Sequence, residues 1–152
     1  KDPRGEGVAL TRLGSLHEAL GDMEQALDHH RQALRLRENL QDRTGAAFVL
    51  ARIGSIHESR GELERARESF QRALDLSREV RHDVPAAEAL LGLARLARGR
   101  GDLEQARSLT EQALERIEEE PKSMSWRLRS KVGDRKKWYR DVGELMAVPE
   151  DV

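Results

Sequence analysis

Apolar residues in the first part of the chain recur at helical spacing. Leu10, Leu13, Leu16 and Leu20 form one such series, and Met23, Ala26, Leu27, Ala33 and Leu34 form the next. Steps of three and four residues give a helix one apolar face and leave the other to water. Between the two series stands Gly21-Asp22, a glycine that can close a helix in the left-handed conformation, followed by a residue that can cap the next helix. The pattern predicts six helices in three pairs: 7–20 with 23–40, 45–60 with 63–80, and 85–100 with 103–119. Pro85 falls in a first turn, where its missing N–H costs nothing.

The pairs are copies of one another. Gly21-Asp22-Met23-Glu24-Gln25-Ala26 returns as Gly61-Glu62-Leu63-Glu64-Arg65-Ala66 and as Gly101-Asp102-Leu103-Glu104-Gln105-Ala106, forty residues apart each time. Leu10, Leu50 and Leu90 keep the same register, as do Ala33-Leu34, Ala73-Leu74 and Ala113-Leu114, and Leu13-Gly14 returns as Ile53-Gly54 and Leu93-Ala94. A fixed period of this length marks a stack of like units, each burying its apolar face on the next.

The order Leu13-Gly14, His17, Gly21-Asp22, Ala26, His30, Ala33-Leu34 resembles the tetratricopeptide repeat. The family's usual unit is about 34 residues; the longer period here is similar to units of kinesin light chains, the Leu-Gly-Asn spindle adaptors and bacterial signalling proteins. His17 and His57 stand where the family prefers Tyr, its first-helix Trp is absent, and no Pro ends the unit. The resemblance implies an all-α, right-handed superhelical α-solenoid of three hairpins closed by a C-terminal capping helix. The expected division is a remnant of a preceding repeat junction at 1–6, units at 7–42, 43–82 and 83–121, and a basic cap and tail at 122–152. Asp2-Pro3-Arg4-Gly5 parallels Asp42-Arg43-Thr44-Gly45, as if the chain left an earlier unit.

In such a stack the first helix of each unit lines the concave face, the family's usual place for a peptide or helix. Matching positions gives Thr11, Arg12, Ser15 and Glu18 in the first unit, Arg52, Ser55 and Glu58 in the second, and Glu88, Leu91, Arg95 and Arg98 in the third. Charges on one exposed face are often only solvated, but this set as a whole suits a partner held by hydrogen bonds and charge pairs. The clamp by which one subtype grips a terminal carboxylate is not reproduced, because its positions hold Thr11, Ser15, Arg52, Glu88 and Gly92.

Composition narrows the function classes. A net charge of −1 gives no overall attraction to nucleic acid or an anionic membrane. The absence of cysteine removes a disulfide frame, a thiolate zinc site and a cysteine nucleophile, and suits a reducing, cytoplasmic setting. No apolar run approaches the roughly 20 residues of a membrane span. His17, His29, His30, His57 and His82 lack metal-ligand spacing, and no hydrolase or nucleotide motif occurs, so neither enzyme activity nor a cofactor, metal or small-molecule substrate is expected.

Beyond Pro121 the composition changes. From Lys122 to Val152 there are 8 Lys and Arg against 5 Asp and Glu, and Trp126, Trp138 and Tyr139 supply three of the chain's five aromatics. A helix over about 124–147 is predicted, as a cap on the last hairpin. Arg129, Lys136, Lys137 and Trp138 would alternatively dock an acidic partner or a nucleic-acid backbone, and the segment from Arg129 to Met146 loosely resembles the link to caspase-like peptidase domains. The leading reading is a scaffold for a protein or peptide partner, with a regulatory segment of a larger signalling ATPase or peptidase as the alternative. An open first helix also allows end-to-end pairing of two copies.

Overall fold

The computed structural model describes residues 2–118. They form six helices: α1 (Pro3–Ala19), α2 (Met23–Asn39), α3 (Arg43–Ser59), α4 (Leu63–Val80), α5 (Asp83–Gly99) and α6 (Leu103–Glu118). Consecutive helices pack as neighbours throughout, so the three hairpins α1/α2, α3/α4 and α5/α6 stand in line. α3 and α5 also touch directly, which sets the first helices on one side of the stack. The predicted helix at 124–147 lies outside the described residues.

The turn inside each hairpin follows from its glycine. Gly21, Gly61 and Gly101 have φ of 80°, 74° and 80°, and each is followed by the paired N–H to C=O bonds that close a helix end, such as Gly21 N to Glu18 O (3.0 Å) and Asp22 N to His17 O (2.9 Å). Asp22 and Asp102 then cap the next helices by accepting from the N–H of Gln25 and Gln105 at 3.2 and 3.0 Å. Glu62 caps nothing, because its carboxylate is taken by His57.

The first helices begin earlier than the apolar pattern predicts. α1 starts at Pro3 rather than 7, α3 at Arg43 rather than 45, and α5 at Asp83 rather than 85. Capping explains the first two, since Asp2 accepts from Arg4 N (3.1 Å) and Asp42 from Gly45 N (2.9 Å). Residues 3–6, read from sequence as a repeat junction, are the first turn of α1. The junctions between hairpins close as the inner turns do, but with Gln41 and Arg81 at φ of 54° and 52° in place of glycine.

Small residues let the helices approach. Phe70 of α4 is 1% exposed, and a Cβ added to Gly54 would stand 2.7 Å from its ring; one added to Gly92 of α5 would also meet it. Phe70 is therefore shared by α3, α4 and α5. One unit earlier the buried His30 ring lies against Gly14, where a Cβ would come to 2.6 Å. In the third unit the first helix carries Ala94, and the matching residue of α6 is the smaller Thr110, fully buried with its hydroxyl bonded to Ala106 O (2.8 Å). A small residue on the first helix thus meets a larger buried one on the second in every unit.

Candidate interaction face

The side of the stack carrying α1, α3 and α5 holds most of the residues that sequence matching selects. Its firmest element is an ion pair across two units: Arg95 donates through Nε to Glu58 Oε1 (2.8 Å) and through Nη2 to Oε2 (2.7 Å), joining α5 to α3 in a two-pronged contact. Glu18, one unit before Glu58, turns instead to the buried His30, whose Nε2 lies 2.6 Å from its Oε1. A carboxylate only accepts, so Nε2 carries the proton and Nδ1 is left as a buried atom with no partner.

The remaining residues divide by their surroundings. The Thr11 hydroxyl donates to Gly7 O (2.8 Å) and accepts from Arg37 Nη2 (3.5 Å), which turns it toward α2. Ser55 donates to Ala51 O (3.2 Å). Leu91 is 8% exposed and belongs to the apolar core with Phe70 and Leu90, so it does not line a surface; its register matches Ala51, which is equally buried. Arg12 and Ser15 are exposed, while Arg52 and Glu88 are half-buried, and Arg12, Arg52 and Glu88 make no hydrogen bond or ion pair with other described residues. Arg98 is exposed. Arg129, Lys136, Lys137 and Trp138 lie outside the described residues.

Histidines serve the packing. His57, 4% exposed, holds Glu62 through Nδ1 at 2.6 Å, tying the end of α3 to the start of α4. That hydrogen bond lowers the Glu62 carboxyl below its ordinary value; partial burial opposes the shift, and Arg65 and Arg60 add to it. His17 stacks on His29 with ring centres 5.2 Å apart, and His82 meets Phe48 edge-on at 5.5 Å. No group of three or more His, Asp or Glu side chains that could hold a metal ion occurs among the described residues. None of the described helices is long and apolar enough to cross a membrane.

Sequence matching missed a second charged region. A cleft between the end of α2, the start of α3 and α4 is lined by Arg37, Glu38, Asp42, Arg43, Arg72 and Asp75. Its arginines are spoken for: Arg37 pairs with Asp42 at 2.5 Å, Arg43 with Glu79, and Arg72 with Glu38 at 3.0 Å. The Arg72–Glu38 pair joins α4 to α2, the Arg43–Glu79 pair ties the two helices of the second hairpin together, and each of the three arginines is held by a carboxylate.

Comparison with known proteins bears on this arrangement. Residues 2–134 match the family described as the MalT-like TPR region. No curated protein sequence matches the chain. Among solved structures, BtubC (BKLC) from P. vanneervenii is similar over 95% of this chain and 57% of its own, with a TM-score of 0.74 and 18% identity. The TPR domain of Arabidopsis FLU is similar over 78% of this chain and 100% of its own, with a TM-score of 0.70 and 22% identity. At these identities the likeness is one of fold. The chain spans 57% of the length of BtubC.

Proposed function

We propose, from the premise that the chain belongs to the family of MalT-like TPR regions, that it is a non-catalytic interaction module whose α1/α3/α5 face holds a peptide or helix of a protein partner. One observation carries the reading. Arg12, Arg52 and Glu88 keep their charges unpaired among the described residues, while Glu58 of α3 and Arg95 of α5 engage one another. A face with a fixed ion pair and unspent charges around it can give a partner both register and charge complementarity.

The test is capture of partners from the source cell lysate by the native chain and by an Arg12→Glu, Arg52→Glu double variant. Neither arginine makes a hydrogen bond or ion pair with another described residue, and thermal melting of the variant beside the native chain checks that both are folded. A protein retained by the native chain and lost by the variant supports the face; equal retention by both removes it.

A second reading places the partner on the same polypeptide, with the repeats as the regulatory segment of a larger signalling protein. It is favoured by the family's description as a region and by the 57% share of BtubC that the chain spans. The chain joined in trans to the rest of such a polypeptide would then bind it, and the same double variant would weaken that binding.

A further inference from the structure

Charge on the interaction face is ordered along the stack. At one place in the forty-residue register the first helices carry Arg12 on α1, Arg52 on α3 and Gly92 on α5, and one helical turn before Gly92 stands Glu88. Two cations are thus followed by an anion. No residue of opposite charge lies three or four places from any of the three on its own helix. Glu18 and Glu58, further along α1 and α3, are already engaged by His30 and Arg95. Arg52 is the informative residue. It sits inside the stack, where α2, α4 and α5 all pack on α3, and it is half-buried. Even so, neither Arg52 nor Glu88 pairs with the other or with any other described residue.

Resting on the interaction-module reading, we propose that the occupant of this face is an extended segment of a partner protein that sets acidic side chains over α1 and α3 and a basic one over α5. Charge complementarity carries the choice. A carboxylate can take a guanidinium through two N–H donors, as Glu58 takes Arg95, and a segment of the opposite order would bring like charges together at both ends. The spacing suits a polyproline II segment. α3 and α5 touch, and helices in contact have axes about 8–10 Å apart; a polyproline II chain returns the same face every three residues, about 9 Å on. An acidic, acidic, basic order at every third residue therefore meets Arg12, Arg52 and Glu88 in turn, and side chains as long as these take up the one-turn offset of Glu88.

Two labelled peptides test this on the whole chain by fluorescence anisotropy at low salt: Glu-Pro-Pro-Glu-Pro-Pro-Lys and its charge-reversed counterpart Lys-Pro-Pro-Lys-Pro-Pro-Glu. The native chain is expected to bind the first about tenfold more tightly, and the Arg12→Glu, Arg52→Glu double variant to invert the order, with circular dichroism checking that each protein is folded. No binding of either peptide, equal binding of both, or a preference that the double variant keeps overturns the proposal. Ser15→Trp, which places a bulky ring at an exposed position of the face, tells that failure from failure of the face itself. Peptides bound without charge preference but lost to Ser15→Trp leave the face standing and remove its charge order. Peptides that Ser15→Trp binds as the native chain does are held elsewhere on the molecule, which overturns both readings.

Discussion

At the level of single residues, the two kinds of turn in this chain make an unequal demand on the backbone. Gly21, Gly61 and Gly101 take positive φ freely, whereas Gln41 and Arg81 take it with a Cβ, at a strain of about 1–2 kcal/mol. Gln41→Gly and Arg81→Gly are each expected to stabilise the protein by about 0.5–1 kcal/mol once the glycine's greater unfolded-state freedom is subtracted, as read from urea unfolding. No turn signal in the sequence marks these two positions, because the residues that adopt the strained conformation are ordinary ones. The inner turns were legible for the opposite reason.

A second residue-scale expectation concerns acid. The folded state lowers the Glu62 carboxyl, so its contribution to stability is fully present above the ordinary value of 4.5 and is lost as the pH falls through the lower folded value. Thermal melting of Glu62→Gln against the native chain should show a gap at neutral pH that closes below about pH 4.5. A gap that persists unchanged into acid would remove the His57–Glu62 pair as its cause.

Between elements, the helix crossings are governed by what small residues leave open. Ala66, fully buried at the start of α4, belongs to the apolar core with Leu50, Phe70 and Leu90. Ala66→Asp is expected to abolish cooperative melting, since an unpaired buried carboxylate costs several kcal/mol or must bind a proton. Gly54→Ala should cost about 1–3 kcal/mol, because the Phe70 ring it would meet is packed on all sides. Helix number, pairing and inner turns were legible because they rest on local periodicity. The partners of Glu18, Glu58 and Thr11 were not, since they depend on which side chain a neighbouring helix brings near. Leu91 was misplaced because helical register alone does not say how closely α3 and α5 approach.

Across the whole molecule, burial is uneven. α3 and α5 each bury ten residues, whereas α1 buries only Gly7 and Gly14. A stack in which each hairpin touches only its neighbours opens from its least buried end. Amide hydrogen exchange should therefore release α1 first, with α3 and α5 the best protected; uniform protection would show that the array unfolds as one body. Membership of the family and the three-hairpin stack could be read from the sequence, while the contrast between exposed Leu13 and Leu16 on α1 and their buried counterparts Ile53 and Ile56 on α3 emerged only from the packing.

The shared ring of Phe70 also bears on how such an array can be lengthened or shortened. It fits against α5 because Gly92 leaves room, and the positions matching Gly92 in the first and second units are Arg12 and Arg52. A copy of the first hairpin placed after the second would drive an arginine into the space the ring fills. The three units look like tokens of one type, but their order is fixed, and gene duplication or engineering here must move the second and third hairpins together.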